Sequence, residues 1–350
     1  MKYRPPRPAG LRAFLFASIL TALCATLLSC AQKPPLIGVF VYNESDPFMK
    51  TFAEQIVFKS AGTHTTRLFY ADNSQLIQNG QIEKMLAEKP ALMLINPVDR
   101  LGAYAIIHRM QAEKVPVIFF NREPLSEDLA LWDKTYYVGA QAAQSGQLQA
   151  SLVMDLFGGD PERLNGFDRN HDGVIQTIIL KGEQGHQDAE TRTSEVLHSF
   201  ENKKFKIEVL ALEVANWSSE EAYTKMGRLL GSYQERIELV VSNNDDMALG
   251  AISRMRQSGM FQDTNGNGHI DRQDAKWIPV VGIDGLREAE VSIREGFLYG
   301  TVKNDSSAMA VSMIELGDVL LGLADKSSLS VPLQNDKYIW IDYRPYVSAE

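Results

Sequence analysis

In this sequence, polar and acidic side chains recur where apolar runs stop. VYNESDPF, INP, FFNREP, KGEQGHQD, SNNDD, GIDG and VKND each begin in or follow a Val/Ile/Leu-rich stretch. Carboxylates accept hydrogen bonds, while amides and a guanidinium supply donors. Gathered in one place, such groups suit a ligand with many hydroxyls, because each hydroxyl both donates and accepts. Two other stretches have the oxygen spacing of a hard-cation loop. Asp168–Gln176 reads DRNHDGVIQ, with Asp168, Asn170 and Asp172 alternating, then Gly173, then Gln176. It opens like an EF-hand loop but runs on as TIILKG, an apolar strand-like segment, with no acid at position 12. Asp263–Asp274 reads DTNGNGHIDRQD, with oxygen donors at positions 1, 3, 5, 9 and 12 and Gly268 at position 6. Its candidate ligands are Asp263, Asn265, Asn267, His269, Asp271 and Asp274. Asp274 is one methylene shorter than the usual Glu, which makes this the weaker of the two candidate cation sites. For both loops an Asx-rich turn without metal is the alternative.

Other chemistries lack their residues. There is no GxxxxGK[ST] or GxGxxG phosphate loop, no GxSxG elbow and no HExxH helix. Both cysteines, Cys24 and Cys30, fall in the first 30 residues, which excludes disulfides and thiolate metal sites from the rest of the chain. Lys2, Arg4, Arg7 and Arg12 precede the apolar run LFASILTALCATLL, as in an export signal too short for a comfortable membrane span. The run ends in Leu27-Leu28-Ser29-Cys30, similar to a bacterial lipobox in which the Cys is lipidated. Loss of residues 1–29 takes the formal charge from −9 to −13, so no nucleic-acid partner is expected.

The elements that must position the polar groups alternate along the chain. Eleven apolar runs, from LIGVFVY to IWIDYRPYV, are separated by amphipathic stretches such as SQLIQNGQIEKMLAEK and DDMALGAISRMRQSGMF. Continuous Val/Ile/Leu runs are strands buried on both faces, and strand–helix alternation indicates an α/β chain with doubly wound parallel sheets. One compact sheet rarely holds so many strands, so two α/β domains are expected. In such sheets ligands sit beyond the carboxyl ends of the strands, where the polar groups recur.

The segments IGVFVYNESDPFM, INPVD, VIFFNREP, YYVGA, DRNHDGVIQ, LKGEQGHQDAETRT, VVSNNDDMALGA, VVGIDG and GTVKND together resemble the periplasmic glucose/galactose-binding protein family. The resemblance covers nearly everything after residue 36. It implies the type I periplasmic binding protein fold, two lobes joined by a three-segment hinge. It also implies a signal peptide over 1–29, a tether over 30–35, one lobe from 36–122 with 302–343, and the other from 123–301 with 344–350. The implied function is capture of D-glucose or D-galactose for an ABC importer, as a non-enzymatic, monomeric lipoprotein held at a bacterial membrane in the periplasm through Cys30. Partners would be a permease and, as in some relatives, a chemoreceptor.

By the same resemblance Asp46, Asn96, His186, Asp188, Arg192, Asn244, Asp284 and Asn304 form a polar ring. Phe48 and Trp217 sandwich the sugar, and Tyr42 closes one side. Asp46 would accept from the 4-hydroxyl of either epimer. The first cation loop would bind structural calcium through Asp168, Asn170, Asp172, the Val174 carbonyl and Gln176, with Glu238 arriving from a distant strand. The residues alone leave other readings open. Asp46 before Pro47 suits a turn, Asn96 and Asn244 suit helix N-caps, and Trp217 suits a core. A sensor or adhesin of the same fold is the alternative function. A glycoside-cleaving enzyme is a distant one, since it would need two converging carboxylates and a path for water.

Overall fold

The computed structural model describes residues 1–2 and 33–348; the leader and Cys30 therefore lie outside the described residues. Among the described residues, twelve strands form two six-stranded sheets. The first sheet holds β1 (Leu36–Val41), β2 (Thr65–Tyr70), β3 (Leu92–Ile95), β4 (Val117–Phe120), β5 (Thr135–Gly139) and β11 (Tyr338–Trp340). The second holds β6 (Ile175–Lys181), β7 (Ile207–Val214), β8 (Leu239–Ser242), β9 (Val280–Asp284), β10 (Gly300–Lys303) and β12 (Arg344–Val347). The orders are β11-β5-β4-β3-β1-β2 and β12-β10-β9-β8-β6-β7. All pairings are parallel except β10 with β12.

Helices cover the sheets: α1 (Pro47–Ser60), α2 (Gln75–Ala87), α3 (Ala103–Glu113), α4 (Ser126–Leu129) and α5 (Ala142–Leu156). They continue with α6 (Gln187–Asn202), α7 (Ser219–Tyr233), α8 (Asp245–Gln257), α9 (Arg287–Arg294) and α10 (Ser306–Leu320). Central strands β3, β4 and β8 are buried at every residue, as their unbroken apolar sequences require. The outermost strands β2 and β7 mix polar with apolar residues and are half-exposed.

Each sheet reverses its strand order once, between β1 and β3 and between β6 and β8, and the crevice at such a reversal is where open α/β sheets take ligands. An asparagine bridges each reversal. Asn96 Oδ1 accepts from the Tyr42 amide at 3.1 Å, and Asn243 Oδ1 accepts from the Gly182 amide, also at 3.1 Å.

The chain passes between the sheets three times: after β5, after β10 and between β11 and β12. Two expectations are corrected here. The first lobe does not end at residue 122, because β5 lies hydrogen-bonded between β4 and β11 in the first sheet. The second stretch of that lobe likewise begins after Lys303, since β10 belongs to the second sheet. The run IWIDYRPYV is two strands in different sheets, split by Ile341–Tyr343. That crossing is pinned by the Ile341 amide on the Gly139 carbonyl (2.9 Å) and the Tyr343 amide on Gln144 Oε1 (2.8 Å). Apolar periodicity reports burial, and both halves of the run are partly buried, so the break left no trace in it.

Candidate functional site

The carboxyl ends of the two sheets face each other across a cleft. On the first wall Asp46 caps α1, with Oδ1 accepting from the Met49 amide (3.0 Å) and Oδ2 from the Tyr42 hydroxyl (2.6 Å). The turn and the ligand readings of Asp46 are therefore compatible, because an ionised carboxylate has about four acceptor sites and only two are used. Phe48, in the first turn of α1, is buried edge-on against Phe52. Burial, and next the Asp46 carboxylate, push the Tyr42 hydroxyl well above the ordinary phenol range, so it stays a donor.

On the second wall Asn244 caps α8 through the Met247 amide (3.0 Å), and His186 caps α6 with Nδ1 accepting from the Asp188 amide (3.1 Å). That bond leaves the proton of the neutral imidazole on Nε2. Burial, with Arg122 and Arg192 nearby, holds His186 well below the usual imidazole range, hence neutral. Trp217 and Asp284 both occupy left-handed backbone, with φ of 64° and 126°. Such strain in residues other than Gly concentrates at sites where position matters more than comfort. Trp217 can lie at the end of β6 because Gly182 has no side chain; a Cβ there would stand 2.3 Å from the indole ring.

Arg192 is the centre of this wall. Its guanidinium is almost wholly buried and donates to the Asn243 carbonyl (2.7 Å), the Tyr343 hydroxyl (3.1 Å) and Asp188 Oδ2 (3.4 Å). Asp284 lies 3.9 Å away. Burial opposes the Arg192 charge, but Tyr343, Asp188 and Asp284 outweigh it, and its pKa is raised. Burial also raises both carboxylates, Asp284 well above the ordinary range, with Arg192 pulling each back. Behind them Asp245 is fully buried on the Gly285 and Leu286 amides and the Thr301 hydroxyl; burial outweighs those bonds and lifts it to about 7. Carboxylates raised by burial are stabilised by any hydroxyl that donates to them.

Tyr42, Asp46, Phe48, His186, Asp188, Arg192, Trp217, Asn244 and Asp284 line one central cavity, together with Asn121 and Arg122. Two expected members do not line it. Asn96 is fully buried, its amide spent on the Tyr42 amide, the Phe120 carbonyl and Asn121 Oδ1, because it bridges the strand reversal. Asn304 lies in the crossing after β10 and lines the neighbouring cavity with Phe48 and Asp284, its Oδ1 buried without a partner.

Arg122, Asn121 and Tyr343 were missed. The strand ending FFNREP flagged the first two, whereas nothing local marked Tyr343, which is 151 residues from Arg192. Arg122 stacks 3.9 Å from the centre of the Tyr42 ring, donates to the Val98 carbonyl and reaches Glu183 on the opposite wall (3.1 Å). Gln187 and Glu123 also meet across the cleft, at 3.2 Å. The lobes are thus drawn together around a central cavity of about 30 Å³, so that admission of a hexose requires them to part and to close again less tightly around it.

The first cation loop lies against the start of β8. β6 and β8 are neighbours, and Glu238, one residue before β8, accepts from the Arg169 (2.6 Å) and Gln176 (3.2 Å) amides. Asn170, Asp172 and Gln176 hydrogen-bond among themselves at 2.9–3.3 Å. Asp168 Oδ1 is buried without a partner, and burial, opposed by the Gln176 and Arg169 amides, raises Glu238. Among the described residues no three His, Cys, Asp or Glu side chains gather as a metal cluster. The donor set here mixes carboxylates with amides, as hard-cation sites do. In the second loop, Asp263 and Asp274 are taken up by amides of the loop itself: Gly266, Asn267 and Gly268 for one, Asp271, Thr264 and Asn265 for the other.

A family model described as a periplasmic binding protein domain matches residues 37–324. A D-galactose/methyl-galactoside binding periplasmic protein of Haemophilus influenzae is 33% identical over 287 residues, covering 81% of each chain. Solved structures of similar fold include an ABC transporter solute binding protein from Bacillus halodurans with bound myo-inositol. It has a TM-score of 0.71 at 23% identity, over 90% of this chain and 95% of that one. Another, from Actinobacillus succinogenes with bound D-allose, has a TM-score of 0.72 at 18% identity, over 89% and 97%.

Proposed function

The chain belongs to the periplasmic binding protein family, and from that premise we propose that it captures D-glucose and D-galactose in the cleft and delivers them to an ABC importer. The observation that carries this is Arg192, buried between Asp188 and Asp284 and facing Asp46 across the cavity. A guanidinium fixed by two carboxylates gives donors and acceptors at set positions, the complement of a pyranose edge. Phe48 and Trp217 supply the apolar faces for the sugar C–H groups. The spare acceptor sites of Asp46 suit a hydroxyl arriving from either of two epimeric directions, which supports binding of both hexoses.

Closure follows from contacts with both walls. A sugar that bonds Asp46 on one lobe and Arg192 on the other binds the closed state more tightly than the open one, and shifts the population toward it. The permease then recognises the closed form. No catalytic role is assigned to the carboxylates, since Asp188 and Asp284 are both turned to Arg192 rather than set on either side of a scissile bond.

Two further parts belong to this reading. Calcium would be held by Asp168, Asn170, Asp172, the Val174 carbonyl, Gln176 and Glu238, and it would tie the loop before β6 to the start of β8. The orphaned Asp168 Oδ1 and the buried Glu238 support it, because a divalent cation satisfies both. Asp263–Asp274 would be a second, weaker site. Lipidation at Cys30 would hold the protein to a bacterial membrane, its two lobes in the periplasm; among the described residues no helix is long and apolar enough to cross a membrane.

Calorimetric titration of the purified protein with each hexose is the test. Saturable one-site heat with galactose and glucose is expected, and no heat with either ends the sugar reading. Loss of fatty-acid labelling in a Cys30→Ser variant tests the anchor separately.

A further inference from the structure

The cleft lies at the carboxyl ends of the strands, and the opposite end of the first lobe is basic. Lys33, Lys89, Lys114 and Lys134 are all exposed, each within three residues of the start of β1, β3, β4 or β5. Those strands are neighbours in the order β5-β4-β3-β1, so the lysines form a row across the amino edge of the sheet. The row is joined by amide-to-carbonyl bonds, Val117 to Lys134 (3.0 Å), Met93 to Pro116 (3.0 Å) and Ala91 to Leu36 (2.8 Å). Lys89, Lys114 and Lys134 line one groove of about 540 Å³ with Leu320 and Leu321. Glu113, the acid of that lining, is held by Arg109 at 2.8 Å. Glu88 and Asp318 at the same end pair with Arg67 and His64, and Asp133 precedes Lys134. Among the described residues none of the four lysines is in an ion pair.

Lysines past helix ends complement the helix dipole, and that accounts for Lys89 after α2 and Lys114 after α3. It leaves out Lys33, which follows no described helix, and Lys134, five residues beyond α4. Two exposed apolar side chains stand at this end as well: Phe58 in the last turn of α1 (72% exposed) and Leu323 just after α10 (58%). Lysines beside exposed Phe and Leu suit an anionic bilayer surface, where ammonium groups meet headgroup phosphates and apolar side chains enter the interface.

The chain path brings that surface to the same place. Six peptide units separate Cys30 from Leu36, a reach of at most about 20 Å. Leu36 is bonded to Ala91, a residue of the groove. Residues 30–350 carry a formal charge of −13, so most of the molecule is repelled by anionic headgroups and the basic edge is set apart. Resting on the lipidation reading above, we propose that the amino edge of the first lobe docks on anionic phospholipid headgroups through Lys33, Lys89, Lys114 and Lys134. The cleft, at the other end of the same strands, then faces away from the bilayer.

The test uses the lipidated protein in vesicles. No cysteine follows Cys30, so Ala112→Cys at this edge and Ser45→Cys beside the cleft each take one fluorophore. Quenching by a phosphatidylcholine with a nitroxide headgroup reads contact with the bilayer. In vesicles of phosphatidylglycerol and phosphatidylcholine, the Ala112→Cys label should be quenched several-fold more than the Ser45→Cys label. Combining Lys89→Gln, Lys114→Gln and Lys134→Gln, or omitting phosphatidylglycerol, should bring the first signal down toward the second, with the melting temperature unchanged. Equal quenching of both labels in the anionic vesicles overturns the docking; flotation with phosphatidylcholine vesicles then shows the anchor intact. A difference that survives the three substitutions also overturns it. A chain that neither carries fatty acid nor floats with phosphatidylcholine vesicles removes the anchor reading instead. In that case retention by anionic vesicles, lost with the three substitutions, upholds the basic edge, and no retention overturns it.

Discussion

The two lobes share one topology and divide the chemistry unequally. Each winds its strands with the same reversal and closes it with one asparagine, Asn96 in the first and Asn243 in the second. Beyond those bridges the walls differ. The first wall offers Asp46 on a helix cap, the Tyr42 hydroxyl and the Arg122 side chain reaching across to the other lobe. The second buries a guanidinium among Asp188, Asp284 and Tyr343, with Asp245 behind. It also carries both cation-type loops, linked through flanking residues: the Phe167 and Trp277 rings lie 5.7 Å apart, and the Arg169 guanidinium donates to the Trp277 carbonyl. Repeated topology therefore supplies the scaffold twice, while residues just after the strands decide what each copy does. The second lobe holds most of the buried charge at the site.

The sharpest way to break this comparison is Arg192→Ala. It leaves Asp188 and Asp284 buried without their counter-ion, so hexose affinity should fall on the order of a hundredfold or more, measured by calorimetry. A loss no greater than that of a first-wall variant would show that the walls are equal. Metal removal comes next. A chelator should reduce the stability of the second lobe by about 2–3 kcal/mol if calcium had been present at a hundred times its Kd, lowering its melting transition and leaving the first-lobe transition in place. Scanning calorimetry that shows both transitions moving, or neither, would break the assignment.

Asp46→Ala removes the cap of α1 and the Tyr42 contact together. The expected cost is about 1 kcal/mol of first-lobe stability, and roughly tenfold in hexose affinity. Asp274→Asn should lower calcium stoichiometry from two to one, with a thermal shift of about 2 °C at most. A further prediction concerns pH. Burial lifts Asp245 from the ordinary carboxylate range to about 7 in the folded protein. The native state therefore keeps a proton that the unfolded chain releases. Its contribution to stability is full below the unfolded carboxylate range and declines as pH rises toward about 7. Asp245→Asn should flatten that decline in second-lobe melting between these limits. An unchanged slope would locate the titration elsewhere.

Much of the site could be read along the chain because the fold puts ligand groups directly after buried strands. Asp46, Trp217, Asn244 and Asp284 each follow an apolar run by a few residues, and all four line the cavity. The alternate oxygens of Asp168–Gln176 are likewise a local pattern before a strand, whereas the position of Glu238 beside them depends on the pairing of β6 with β8. Asn96 follows the same kind of run yet points inward to Tyr42, Phe120 and Asn121. Its position after a strand was visible; the direction of its amide was not.

The sequence by itself determined the α/β class, the two-lobe division and the family. Strands buried on both faces must be continuous apolar runs, and their polar endings survive as short contiguous motifs. Only the tertiary structure decided that β5 completes the first sheet, that Arg122 spans the cleft and that Tyr343 holds Arg192. Those outcomes depend on contacts between segments far apart in the chain. Local periodicity records how deeply a segment is buried, and it carries no record of what that segment meets.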